Sequence, residues 1–87
     1  MKEEEKRYSK QIIGKTVVTK SGKKFGEVGN LTFETRTGEL IQIILKNTTS
    51  FAEGLELERD PQGNPTIPYS SVIAIGDFIV VSEEDLV

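Results

Sequence analysis

The chain has 87 residues, contains neither cysteine nor histidine, and carries a formal net charge of −3. This length suits one small domain with a shallow core. Without cysteine there are no disulfides or thiolate metal sites, and without histidine the commonest general base and transition-metal ligand are missing. The negative charge argues against a general polyanion binder.

The first residues indicate a charged arm. Residues 1–10 carry four basic and three acidic side chains, with Tyr8 as the large apolar one. We interpret residues 1–11 as a solvated arm, and the alternative is a short helix in which Glu3 faces Arg7. No apolar run approaches the roughly 18 residues of a membrane helix, and no signal-peptide core is present. We therefore expect a cytoplasmic protein without direct membrane insertion.

The first predicted strand is the β-branched run KTVVTK at residues 15–20. A turn at residues 21–24 leads into a central hairpin over residues 22–47. In its first half Leu31 and Phe33 follow the two-residue period of a strand, but Val28 is three residues before Leu31. One extra residue at Gly29 or Asn30 restores the phase, which predicts a β-bulge there.

The second half of the hairpin is the apolar strand LIQIILK at residues 40–46. Alternation puts Ile41, Ile43 and Leu45 on one wholly apolar face. The opposite face is mixed, so we expect Leu40 and Ile44 to point outward. A strand of this kind is buried on one side and partly covered on the other.

Three further strands are predicted in the second half of the chain. Residues 48–65 are long for a structureless connection, and GLELER at residues 54–59 alternates like an edge strand. DPQGNP at residues 60–65 is a loop, and Pro68 marks a strand start or a corner. VIAI (72–75) and FIVV (78–81) form a closing hairpin through Gly76 and Asp77. The count is six short strands with little helix, which predicts a small all-β barrel.

Five stretches of the chain, taken in order, carry a family resemblance: IGKTVV at residues 13–18, SGKKFGEV at 21–28, LTFETRTGEL at 31–40, IPYSSV at 67–72 and GDFIVV at 76–81. Together they resemble the PRC-barrel family. The family is named for the H subunit of the photosynthetic reaction centre and includes a bacterial ribosome-maturation factor. Length and layout look most like the short stand-alone versions common in archaea. Glu34 stands where the family usually has aspartate, a conservative departure.

The resemblance implies a six-stranded, partly open barrel over residues 12–82, followed by an acidic tail at 83–87. It also implies a docking module, because family members hold other proteins at a photosynthetic complex, a ribosomal particle or, in some archaea, the division apparatus. It supplies no catalytic residue. We therefore expect no enzymatic activity, no cofactor and no metal site.

Phe51 is the first candidate contact residue, since it stands in the polar stretch TTSFAEG. It either plugs an open end of the barrel or contacts a partner, because aromatic residues dominate interface anchors. Leu40 and Ile44 could join the same patch. The first hypothesis is thus a non-enzymatic adaptor that acts as a homodimer or in a hetero-complex, in archaeal cell division or at a membrane-associated complex.

A lysine cluster near the first turn supports the alternative. It comprises Lys15, Lys20, Lys23 and Lys24. Such a cluster can bind an anionic partner, and the second hypothesis is an accessory to RNA processing or ribosome maturation that binds RNA or a ribosomal protein. The simpler interpretation is a soluble turn, because exposed aromatic residues do not alternate with the lysines.

Overall fold

The computed structural model of this chain describes residues 11–85. They form a six-stranded sheet, a short α-helix between the third and fourth strands and two 3₁₀ turns, and residues 11 and 12 are also helical. The strands are β1 (Thr16–Thr19), β2 (Lys24–Phe33), β3 (Leu40–Lys46), β4 (Thr66–Pro68), β5 (Val72–Ile75) and β6 (Phe78–Val81). The helix α1 spans Ser50–Glu53, and the 3₁₀ turns span Tyr69–Ser71 and Glu83–Asp85.

The sheet has the strand order β4-β3-β2-β1-β6-β5. All neighbouring strands are antiparallel except β1 and β6, which run parallel with Thr16 opposite Phe78. The sheet does not close, so β4 and β5 remain as its two edges, and the 3₁₀ turn Tyr69–Ser71 connects them. The predicted all-β class with six strands in a partly open arrangement is confirmed.

The predicted bulge in β2 is present. Val28 pairs with Leu45 and Asn30 with Ile44, so Gly29 is the extra residue. Because of the bulge, Val28 is buried in the core, and Leu31 is partly buried and packs against the core. The local twist that a bulge adds helps so small a sheet to curve around its core.

A second bulge in β3 overturns the prediction for Leu40 and Ile41. Thr32 pairs with Gln42 but Phe33 pairs with Leu40, which leaves Ile41 as the extra residue. The phase of the strand therefore changes at Ile41. Leu40 turns inward and packs against the core, while Ile41 is 45% exposed.

The core lies on one side of the sheet and is apolar. Its ten buried residues are Ile12, Val17, Phe25, Val28, Ile43, Leu45, Ala52, Ile67, Ile79 and Val81. Every strand except β5 contributes a fully buried residue, and β5 packs against this core through the partly buried Val72 and Ile75.

Residues 48–65 differ from the prediction. They contain α1, whose first turn is capped by the hydroxyl of Thr49 accepting from Ala52 N at 3.3 Å. The predicted fourth strand at residues 54–59 is wrong, since its pairing is reduced to one isolated bridge between Arg59 and Pro65. The alternation reflects Leu55 and Leu57 packing against the core from an extended loop.

The two ends of the chain are described only in part. The predicted N-terminal arm lies outside the described residues up to residue 10. In the predicted acidic tail, Glu83–Asp85 form a 3₁₀ turn, and Ser21 Oγ donates to Glu83 Oε1 at 2.9 Å. This contact ties the start of the tail to the turn between β1 and β2.

Candidate interaction surfaces

A concave cleft of about 510 Å³ lies on the face of β2, β3 and β4 that points away from the core. Its floor consists of one side chain of β4 and two each of β2 and β3: Asn30, Thr32, Gln42, Ile44 and Thr66. Residues 58–62 form its wall. The floor follows from strand alternation, because Ile43, Leu45 and Ile67 occupy the core face of the same strands.

The wall is held by hydrogen bonds of Asp60. Its Oδ1 accepts from Gln62 N at 3.0 Å and from Asn64 N at 2.8 Å, and its Oδ2 accepts from Asn64 Nδ2 at 3.3 Å. The backbone N–H of Asn64 is the main reason that the pKa of Asp60 is lowered. Asp60 is therefore a carboxylate at neutral pH and gives the wall negative charge.

An ion pair joins the wall to the helix. Arg59 Nη2 lies 2.8 Å from Glu53 Oε2, and Arg59 Nη1 donates to Gly63 O at 2.8 Å. Thr48 Oγ1 donates to Glu53 Oε1 at 2.6 Å, and this bond together with Arg59 lowers the pKa of Glu53. Both charged groups are exposed to solvent, so the pair adds little stability but fixes the direction of the Arg59 side chain.

The cleft floor contains two polar side chains that make no hydrogen bond within the described part of the chain. Thr32 and Gln42 face each other across β2 and β3 and are both half-buried. Neither side chain has a hydrogen-bond partner within residues 11–85. Half-buried polar groups in a concave surface can bind a ligand's polar atoms without first breaking an internal hydrogen bond.

The structure does not bring the three predicted contact residues into one patch. Ile44 lies in the cleft floor, as expected for an outward residue of β3. Leu40 and Phe51 are partly buried and pack against the core. The role of these residues as partner contacts stays a prediction, and Ile44 is the one that faces an accessible concave surface.

The ring of Phe51 is part of a stacked pair. It lies parallel to the ring of Phe25, with 5.4 Å between centroids, and Lys23 Nζ lies 4.9 Å from the Phe51 centroid. The helix that carries Phe51 is tied to β2, because Thr49 N donates to Phe25 O at 3.0 Å. The apolar residue in a polar stretch thus covers the end of the core next to Phe25.

The four predicted lysines do not form one free basic patch. Lys15 Nζ donates to Gly76 O, and Lys23 lies over the Phe51 ring. The side chains of Lys20 and Lys24 are exposed. Their binding to an anionic partner stays a prediction, and Lys20 and Lys24 are the two lysines that the fold leaves most available.

The two edges of the sheet differ in what covers them. At the β4 edge Thr66 N donates to Glu58 O at 2.7 Å, so the wall of the cleft covers that edge. The β5 edge has no further strand beside it within residues 11–85. Its sequence VIAI is uncharged, and Ile73 is 49% exposed. Alternation alone cannot reveal this difference, because it depends on which strands pair.

Residues 11–85 contain neither a group of side chains suited to a metal ion nor a helix suited to a membrane. Among residues 11–85, no group of acidic side chains is arranged to hold a metal ion. No helix in the same part of the chain has the length and apolar character needed to cross a bilayer.

Comparison with known proteins assigns the fold to a family. The model of the PRC-barrel domain matches residues 4–86, nearly the whole chain. A protein of Methanocaldococcus jannaschii described as uncharacterized is 28% identical over 82 residues, which cover 94% of this chain and 88% of that relative. The match agrees with the six-stranded open sheet, and the chain belongs to the PRC-barrel domain family.

Proposed function

We propose that this protein is a non-enzymatic protein-interaction module that pairs with a second copy of itself and holds a partner protein. The observation that carries the proposal is the uncharged β5 edge with its exposed Ile73. An edge strand offers a row of unpaired N–H and C=O groups to another strand, and most proteins protect such edges with charge, proline or a covering loop. The β4 edge has a covering loop, whereas β5 has only its shortness and a bulge at Ile73.

A second copy of the chain is the occupant that we propose for this edge. Two β5 strands related by a twofold axis pair antiparallel, and each strand then supplies the same surface. Ile73 and Ala74 of β5 are both exposed, so pairing would also cover apolar surface along the strand. This is the proposed form of the homodimer.

The absence of catalytic activity is the second part of the proposal. The sequence has no histidine and no cysteine to act as a base or nucleophile. Turnover of any substrate by the purified protein would contradict it. Among the roles that the family resemblance implies, we propose archaeal cell division or a membrane-associated complex as the setting.

The dimer is tested by light scattering after size-exclusion chromatography. We expect the natural protein to be a dimer and Ile73→Lys to be a monomer, because the lysine places charge on the paired edge. Ile13→Lys is the matched control, since Ile13 is 42% exposed but lies outside β5. A monomeric natural protein, or equal behaviour of the two variants, overturns β5 pairing.

The partner is tested by a cross-linked pull-down with tagged protein in its native cell extract. Recovery of division or membrane-associated proteins supports the proposed setting. Recovery of ribosomal proteins together with RNA instead supports the alternative function. That alternative is an accessory to RNA processing or ribosome maturation that uses Lys20 and Lys24.

A further inference from the structure

We propose that the cleft on β2, β3 and β4 binds an extended segment of a partner protein that carries lysine or arginine. This inference rests on the proposed adaptor function, because it names the chemistry of the partner that such a module holds. It assigns that partner to the covered β4 side of the sheet, away from the β5 edge.

The size and shape of the cleft suit a short length of polypeptide. A volume of about 510 Å³ falls within the range of roughly 300 to 1,000 Å³ that is usual for ligand sites. The floor is built from side chains of neighbouring strands, and on β2 and β3 every second residue faces the cleft. The positions that can contact a ligand therefore repeat along each strand. An extended chain has a similar repeat, since alternate side chains point to the same side.

The floor offers both polar and apolar contacts. The amide of Gln42 has a donor and an acceptor, the same pair of groups that a peptide backbone presents. The hydroxyl of Thr32 lies across from it, and both side chains lack a partner within residues 11–85. Ile44 is half-buried in the same floor and supplies an apolar contact for one aliphatic side chain of the ligand.

The charge around the cleft determines whether a positively or a negatively charged ligand is favoured. Residues 53–60 contain four carboxylates and one arginine. Arg59 is paired with Glu53, which leaves Glu58 and Asp60 as the charged wall residues without a cationic partner in the described chain. Lys46 lies at the far end, in a smaller continuation of the cleft. A basic side chain of the ligand is therefore favoured beside the wall and disfavoured beside Lys46.

Binding is tested with the full chain and a short fluorescein-labelled peptide of alternating lysine and valine, followed by fluorescence polarisation. The matching peptide of alternating glutamate and valine is the control for charge. We expect the lysine peptide to bind, the glutamate peptide not to bind, and the affinity to fall as salt is added. Equal binding of both peptides overturns the proposal.

Two matched charge reversals test the location. Glu58→Lys should weaken lysine-peptide binding by about tenfold or more, because it reverses a charge in the wall. Glu56→Lys makes the same change to the net charge, but Glu56 is exposed and does not line the cleft. It should change the affinity much less, and equal losses in the two variants would mean that the peptide responds only to overall charge.

The two proposals can fail separately. If Ile73→Lys abolishes the dimer while the lysine peptide does not bind, the cleft proposal is wrong and self-association stands. If the peptide binds and responds to Glu58→Lys in a protein that is monomeric at all concentrations, the cleft proposal stands without β5 pairing.

Discussion

The rings of Phe25 and Phe51 stack with an angle of 14° between their planes and 5.4 Å between their centroids. Phe25 is fully buried in β2, and Phe51 covers it from α1. The stack links the helix to the longest strand of the sheet. It gives Phe51 a role in the fold that does not depend on a partner.

Replacing Phe51 should therefore destabilise the folded protein. We expect Phe51→Ala to lower the free energy of unfolding by about 2 kcal/mol, because it removes the stack and leaves Phe25 partly uncovered. Phe51→Leu should cost less, since it keeps apolar cover. Urea denaturation measures both. Unchanged stability with lost partner binding would instead assign Phe51 to an interface.

Replacing Gly26 tests how closely the backbone of β2 approaches the end of β3. A β-carbon on Gly26 would stand 2.8 Å from Lys46 O, and the residue has φ of 151°. We expect Gly26→Ala to lower the free energy of unfolding by about 3 kcal/mol.

Gly22→Ala separates the clash from the backbone strain. Gly22 has φ of 88°, but nothing lies within 4 Å of its added β-carbon. Its substitution should cost only about 1 kcal/mol for the left-handed conformation. Similar losses at both positions, measured by thermal unfolding, would argue against a close backbone contact at Gly26.

The contacts of Glu53 predict a pH dependence of stability. The hydrogen bond from Thr48, followed by Arg59, lowers the pKa of Glu53 in the folded state. A lowered folded-state pKa adds stability above the ordinary glutamate value of 4.5, and this contribution is lost as the pH falls through the folded-state value.

We expect Glu53→Gln to be less stable than the natural protein at neutral pH and equally stable in acid. Thr48→Val should show part of the same loss, because it removes the largest cause of the shift. Chemical denaturation across the pH range measures the difference. A difference that does not change with pH would contradict the assignment.

The surroundings of the lysines predict that the protein does not retain RNA at physiological salt. Lys15 and Lys23 contact other parts of the protein, and the chain has a net charge of −3. In gel-shift experiments we expect no retained RNA at physiological salt, because few free cations oppose the overall repulsion. Salt-sensitive binding that disappears when Lys20 and Lys24 are both changed to glutamate would support the RNA alternative instead.

Much of the fold follows from local patterns in the sequence. Alternation locates β2 and β3, a β-branched run locates β1, and two short apolar runs locate β5 and β6. Glycine beside a break in the period reveals the bulge at Gly29. The bulge at Ile41 has no such signal, since no glycine or asparagine stands beside it and the pairing of Leu40 with Phe33 decides the phase. Helix α1 has four residues, too few for a helical period to appear.

The interaction surfaces were harder to predict than the strands. Ile44 is identified as outward by alternation, but the wall that makes its surroundings concave comes from residues 58–62. The loop reaches the floor through the bond from Thr66 N to Glu58 O, a contact that no local pattern encodes. Phe51 stands out in the sequence, whereas the stack that explains it needs Phe25 from another element.

The parallel pairing of β1 with β6 determines when the sheet can be completed during folding. Val17 and Val18 lie opposite Ile79 and Val80, so the first strand pairs with residues far along the chain. The hairpin of β2 and β3 can form from neighbouring residues, but one side of β1 has no neighbour until β6 has been synthesised. The sheet becomes complete only when these two distant segments meet.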